Sequence, residues 1–305
     1  MSLLLRARPS AVARHINSAL SRGVGYELQP RGTAFETDQI RGYFIDFRAK
    51  TTSPSAGNPP GLVPAGLAQL ALGWWERLLD GEPHAREEFE RVCDLCVQRA
   101  EEHGDEFLWR YEGGSPKYRE SEASHYSSLA QAQMASVFVR AYVATQEPRY
   151  ADSAYRAIRP LLDTTSALVA ETPDGPVLEE APSDPPSHIL NGWIYALWGL
   201  HDVEVALGLE QAGEMKAASI ECLRKKLPSY DTGWWTKYSL YPHRLDDLAK
   251  PFYHRLHVEQ IGVMYSLTGV AEFRDFADRW RGYDTPARRV AVIAQKALFV
   301  ASGYA

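Results

Sequence analysis

The sequence predicts a mainly α-helical chain: stacked helical hairpins curling into an incomplete α/α toroid of the (α/α)6 barrel type, behind a small N-terminal β-containing appendage. Three observations predict it. From Pro64 onward, apolar residues recur at helical spacing in one segment after another. Long apolar segments alternate with more amphipathic ones, as inner and outer layers require. The breaks that follow the apolar segments return at intervals of roughly 60 residues and resemble one another: Asp80-Gly81-Glu82, Thr145-Gln146-Glu147, Leu207-Gly208-Leu209 and Leu267-Thr268-Gly269.

Taken in order, residues 1–23 read as a basic amphipathic lead-in ending at Arg22-Gly23. Gly42 to Phe47 has the aromatic and β-branched content of a strand, and Thr51 to Pro64, rich in Ser, Gly, Asn and Pro, reads as a loop. Residues 1–63 are therefore assigned to an N-terminal helix and appendage, and 64–305 to the toroid, with strand expected mainly before residue 64. In the first helix Leu67, Leu70, Ala71, Trp74, Trp75 and Leu78 share one face, and Asp80-Gly81 ends it. Further helices are expected at about 85–103, 125–145, 148–163, 187–207, 211–227, 253–268, 272–282 and 286–302. Between them, Gly113 to Pro116, Glu171 to Pro186 and Tyr230 to Pro251 are loops. Long ordered loops in compact domains are usually functional. A toroid gathers them at one mouth, where a cleft belongs.

Composition narrows the class. The 305 residues are 45% hydrophobic and 24% charged, an ordinary globular balance. A net charge of −6 carries no footprint of a nucleic-acid binder, although a local basic cleft can still take an acidic polysaccharide. Eight Trp and 16 Tyr provide rings with polar tips, suited to sugar faces or to the space between helices. Cys93 and Cys96 share a helix face with Phe89, Val92, Val97 and Ala100, so they read as core positions; with Cys222 they fit a reducing compartment. No apolar run reaches the length of a membrane span, and Leu3-Leu4-Leu5 is cut short by Arg6, so the chain reads as cytoplasmic.

Four stretches depart from ordinary helix or turn. His125-Tyr126-Ser127-Ser128-Leu129-Ala130-Gln131-Ala132-Gln133 opens a helix with polar groups among small residues, and Gln131 and Gln133 fall on different faces. Glu179-Glu180-Ala181-Pro182 leads through a Pro-rich turn into His188-Ile189-Leu190-Asn191-Gly192-Trp193. Tyr230-Asp231-Thr232-Gly233-Trp234-Trp235-Thr236-Lys237-Tyr238 packs aromatics around a turn. Tyr253-His254-Arg255-Leu256-His257-Val258-Glu259-Gln260 opens a helix dense in ionisable groups.

In order and spacing, these four segments resemble the D-glucuronyl C5-epimerase family, heparosan and heparan-sulfate enzymes with bacterial homologues, over about residues 64 to 283. The second is similar to its Glu-Glu-Tyr-Pro…Leu-Asn-Gly segment, the third to its Leu-Tyr-Asp-Thr-Gly…Tyr segment, the fourth to its Tyr-His…His…Gln helix and the first to its Tyr-Ser-Ala-Met-Ala-Gln-Gly-Gln helix. The resemblance implies an α/α-barrel carbohydrate epimerase, an isomerase that converts D-glucuronic to L-iduronic acid within a heparosan-like chain, and a possible homodimer. It carries the family's functional residues onto Glu180, Tyr238 and Tyr253, with contributions from the Tyr126 and Asn191 regions. Two positions depart. Ala181 stands where the family has a tyrosine, and Tyr241 where its animal enzymes carry an arginine.

The chemistry explains such residues. Inverting C5 of a uronate removes a weakly acidic hydrogen beside a carboxylate and returns one to the opposite face, so each face needs a proton-transfer group. The charge that builds on the carboxyl group needs preorganised donors or cations. Glu180 or Tyr238 would then serve one face and Tyr253 the other. Arg255, Arg244, Lys237 and His254 are the available partners for the carboxylate. Asn191 and Gln131 or Gln133 are candidates for ring hydroxyls, Trp234 and Trp235 for stacking neighbouring sugars, and Tyr126 and His257 are further substrate-binding candidates. No Gly-rich dinucleotide fingerprint and no convincing metal set is present, so no cofactor is expected. Competing functions are a polysaccharide lyase, a glycosidase pairing Glu180 with Asp231, or a catalytically silent glycan-binding domain.

Overall fold

The computed structural model describes residues 47–52, 63–112 and 124–303. Helices α1 (Pro64–Leu79), α2 (Ala85–Gln98), α3 (Ser128–Thr145), α4 (Pro148–Ile158), α5 (Leu190–Leu207), α6 (Glu210–Lys226), α7 (Pro251–Thr268), α8 (Ala271–Arg281) and α9 (Pro286–Ala301) carry most of it. Proline opens α1, α4, α7 and α9, where its missing N–H would have had no helical partner. The expected breaks are sharp. Gln146, Gly208 and Gly269 each close a helix in the left-handed region, at φ 61°, 66° and 74°. Their N–H groups donate to the carbonyls of Tyr142, Glu204 and Tyr265, one turn back.

Each break turns the chain into a hairpin: α1 packs on α2, α3 on α4, α5 on α6 and α7 on α8. The first helix of each hairpin packs on the first of the next, α1 to α3 to α5 to α7, forming the inner wall. Burial follows that layering. Trp193, Ile194, Leu197 and Trp198 of α5 and Val137, Phe138 and Val139 of α3 are fully enclosed, whereas α6 exposes Gln211, Glu214 and Glu221 and buries Ala212, Cys222 and Leu223. Cys93 and Cys96 are buried core residues of α2. Late in α3 and α5, the fully buried Arg140 and Asp202 form an ion pair across the inner wall.

Strand also occurs where none was expected. The described strands are β1 (Glu101–His103), β2 (Glu106–Leu108), β3 (Tyr111–Glu112), β4 (Ser124–His125), β5 (Val169–Thr172) and β6 (Gly175–Leu178), all beyond residue 64 and paired β1 with β2, β3 with β4 and β5 with β6. Two-residue turns at Gly104-Asp105 and Pro173-Asp174 close the first and last hairpins. Helix α2 consequently ends at Gln98 rather than near 103, and the indole of Trp109 donates to its Cys96 carbonyl at 2.8 Å. Of the N-terminal appendage, residues 47–52 and Val63 are among those described. Phe47 is buried in the core, and Arg48 pairs with Asp80 at 2.6 Å, tying this short turn to α1. The expected helix within 1–23 and most of the 42–47 strand lie outside the described residues. No described helix is long and apolar enough to cross a membrane.

Candidate active site

Because α3, α5 and α7 are each followed by a returning outer helix, their N-termini share one end of the wall. The segments entering those three helices carry Tyr126, the Glu179-Glu180 pair with Asn191, and Tyr238 with Tyr253. The positive ends of the helices also meet there, a favourable place for an anion.

The two adjacent glutamates have separate tasks. Glu179 is 2% exposed and holds the turn beneath it: Ser187 Oγ donates to its Oε2 at 2.8 Å, the His188 N–H at 3.0 Å, and the His188 ring contacts Oε1. Its own carbonyl accepts from the Ser128 N–H at 3.0 Å, joining this turn to the start of α3. Glu180 points to the first turn of α5. The Asn191 side-chain amide donates to its Oε2 at 3.2 Å, and the carboxylate lies so close to Gly192 that a Cβ there would sit 2.1 Å from Oε2. Gln260 of α7 donates to the Asn191 carbonyl at 3.1 Å, so α7 braces the same turn.

The irregular stretch between α6 and α7 positions Tyr238. Its N–H donates to the Asp247 carbonyl at 2.6 Å, and its carbonyl accepts from the Leu190 N–H at 3.1 Å. Its ring meets that of Tyr253 edge to face, centroids 4.9 Å apart. Burial raises the Tyr253 phenol above its ordinary pKa and the negative charge of Glu180 raises it further, while the neighbouring Tyr238 hydroxyl acts the other way. Ala181, Ile189 and Tyr241 form a small apolar cluster against Tyr238. The structure thus brings Glu180, Asn191, Tyr238 and Tyr253 together.

Other expected site residues are engaged elsewhere. Gln131 is fully buried: its amide donates to the Phe107 and Ala157 carbonyls at 2.7 and 3.0 Å and accepts from the Trp109 N–H at 3.3 Å, leaving nothing for a sugar. Gln133 is buried as well, so the two residues do not divide into an inward and an outward one, because α3 is enclosed on all sides; the Gln133 amide has no hydrogen-bond partner among the described residues. Trp235 is buried, donating to the Ala249 carbonyl and stacking on His254 at 3.8 Å, so it offers no face to a sugar, whereas Trp234 stays partly accessible. Lys237 pairs with Asp246 at 2.7 Å and Arg244 is exposed. Arg255 is half-buried on the first turns of α7. His254 and His257 are buried, and desolvation lowers both, His254 to about 4; as neutral rings they do not serve as cations. Asp231 accepts from Gly233 N–H at 2.8 Å and the Tyr283 hydroxyl at 3.1 Å.

Tyr126 belongs to a neighbouring group. Its hydroxyl donates to Glu101 at 2.6 Å beside Arg110, and burial first, then Glu101, pushes it up to about 12. Both Arg110 and Tyr126 line a cleft of about 560 Å³ on the Glu179 side of the pair; Glu180, Tyr238 and Tyr253 are not in its wall. Sequence reading missed the holding roles of Glu179 and Ser187, and missed Arg110 altogether. Among the described residues, no group of three or more His, Cys, Asp or Glu is placed to hold a metal.

The family model described as "D-glucuronyl C5-epimerase C-terminus" matches residues 103–282, which include all four residues gathered at the mouth. The chain belongs to this family. It is 29% identical over 175 residues to the D-glucuronyl C5-epimerase of Caenorhabditis elegans, covering 52% of this chain and 28% of that protein. It is 27% identical over 187 residues to an uncharacterised protein of Methanocaldococcus jannaschii, covering 57% of each. The chain thus spans less than two thirds of either relative. In fold it is similar to a cellobiose 2-epimerase from Bacillus thermoamylovorans (TM-score 0.56, 10% identity, covering 72% of this chain and 59% of that one). A sugar epimerase from a ruminal bacterium is similar to the same extent (TM-score 0.55, 13% identity, 72% and 58%). Both likenesses place the toroid among barrels of the (α/α)6 type.

Proposed function

We propose that this chain is a carbohydrate epimerase that inverts C5 of D-glucuronic acid residues within a glycan to give L-iduronic acid. The observation that carries the reading is the meeting of Glu180 with the edge-to-face Tyr238–Tyr253 pair at the mouth. Tyr238 and Tyr253 are too close for a pyranose to lie between them, which favours Glu180 on one face of the sugar and Tyr253 on the other. A carboxylate is the better proton acceptor, and a phenol with a raised pKa the better donor. Glu180 takes the C5 hydrogen as a proton. The electron pair left behind delocalises into the C6 carboxyl group, and Tyr253 returns a proton to C5 from the opposite side. Tyr238, edge to face beside Tyr253, favours the phenolate that remains. The helix N-termini gathered at this mouth favour the negative charge developing on the carboxyl group. The cleft beside Arg110 and Tyr126 suits the neighbouring sugar of the chain.

The test is incubation in deuterium oxide with a panel of uronate-containing oligosaccharides, heparosan-type among them. We expect deuterium at C5 together with the appearance of iduronate. Cleavage of the chain with a new unsaturated end would identify a lyase instead. Hydrolysis without C5 exchange would identify a glycosidase, and tight binding with neither a silent glycan-binding domain.

A further inference from the structure

A short hydrogen-bond chain lies behind the two tyrosines. His254 Nε2 is 3.0 Å from the carbonyl oxygen of Trp280, His254 Nδ1 is 2.9 Å from Thr236 Oγ1, and Thr236 Oγ1 is 3.3 Å from His257 Nδ1. All three side chains are fully buried. The chain has one direction. A carbonyl only accepts, so His254 carries its hydrogen on Nε2. Neutral His254 then has a lone pair on Nδ1, which accepts from the Thr236 hydroxyl. With its one hydrogen committed, Thr236 Oγ1 accepts from His257, whose hydrogen therefore sits on Nδ1. The neutrality assumed for both rings is what burial imposes. Two histidines one helical turn apart thus hold opposite tautomers, set by one threonine.

The position of this chain gives it a consequence. Thr236 precedes Tyr238 by two residues, while His254 follows Tyr253 directly on α7. His257 lies one turn further and stacks beside the Tyr238 ring at 6.4 Å. His254 is itself held between Trp235, at 3.8 Å, and Tyr283, at 6.5 Å. A single hydroxyl therefore joins the irregular segment that carries Tyr238 to the helix that carries Tyr253. We propose that Thr236, His254 and His257 are positioning residues that set the contact between Tyr238 and Tyr253 through this directional relay, and that none of them binds substrate. This rests on reading the two tyrosines as proton-transfer groups. A displacement of about 1 Å at such groups costs about 10²-fold in rate.

The first measurement needs no substrate. Long-range proton–nitrogen correlation on the full chain with 15N-labelled histidine, at pH 7.5, should show His254 protonated on Nε2 and His257 on Nδ1, with assignments from His254→Asn and His257→Asn. Finding His257 protonated on Nε2, or either ring carrying both hydrogens, overturns the relay whatever the enzyme's activity. Thr236→Val removes the hydroxyl at nearly constant shape. It should mix the His257 tautomers, weaken the ring-to-ring nuclear Overhauser effects between Tyr238 and Tyr253, and lower kcat about 10²-fold with KM within about twofold; Thr236→Ser should restore all three. If Thr236→Val leaves tautomers and ring contacts as in the wild type, or raises KM instead of lowering kcat, the positioning role is wrong. Should no oligosaccharide be epimerised, the functional reading fails while the spectroscopic arms still decide the relay.

Discussion

Oε2 of Glu180 lies where the Cβ of residue 192 would be, 2.1 Å from it, so the carboxylate rests on bare helix backbone that only glycine leaves open. The Glu180 Cβ would be only 2.5 Å away, so the conflict is not relieved by swinging the end of the side chain alone. Gly192→Ala should therefore shift the Glu180 turn. The expected result is a loss of kcat of about 10² or more, from misplacing a proton acceptor, and a stability cost of about 1–3 kcal/mol from overpacking. Kinetics and thermal melting of the one variant check both.

Tyr253→Phe removes one proton-transfer group while keeping ring shape. Epimerisation should fall about 10²–10⁴-fold in both directions with little change in oligosaccharide binding. Exchange of the C5 hydrogen with solvent should persist in one epimer only, because Glu180 still removes and returns a proton on its own face. Glu180→Gln should leave any exchange in the opposite epimer. Near wild-type epimerisation by Tyr253→Phe would remove this residue from the mechanism.

Gln131→Leu separates structure from binding. Its amide serves the backbone of Phe107, Trp109 and Ala157, so the substitution leaves buried polar groups without partners. The expected cost is on the order of 1–3 kcal/mol in stability, with KM of the folded enzyme unchanged. A raised KM at unchanged stability would return Gln131 to the sugar.

The depressed histidines give a pH dependence of stability with a definite sign. Burial holds His254 at about 4 in the folded chain, against about 6.5 when unfolded. Between those values the unfolded chain binds a proton that the folded one refuses, so stability is full above about pH 6.5 and declines as pH falls toward 4. From pH 7 to pH 5 the loss from His254 is about 2 kcal/mol, and His257 adds in the same direction. Urea midpoints at the two pH values measure it, and His254→Asn should flatten the slope.

The layering was legible in the sequence because a helix packed on one side or on all sides leaves a periodic trace. Gln146, Gly208 and Gly269 were found from where that trace stops. The β1–β2 and β5–β6 hairpins were not, because strands of three or four residues are too short to establish a period. Nor could the sequence divide Glu179 from Glu180. Ser187 and His188, which bind Glu179, are brought back by a turn whose course no local pattern records. The same holds for Trp235 and His254, whose stretch is irregular or polar and gave no signal that they face inward.

The three entrances to the inner wall also distribute the chemistry along the chain. Glu180 precedes the exposed Gly208 that separates α5 from α6, while Tyr238 and Tyr253 follow it. A chain severed at Gly208 would yield two pieces, each missing one face of the reaction. Neither piece could turn over substrate by itself, and any activity on mixing them would be a readout of reconstitution. On the proposed reading, catalysis would thus belong to the assembled wall, and would appear only once the hairpins that begin with α5 and α7 have docked.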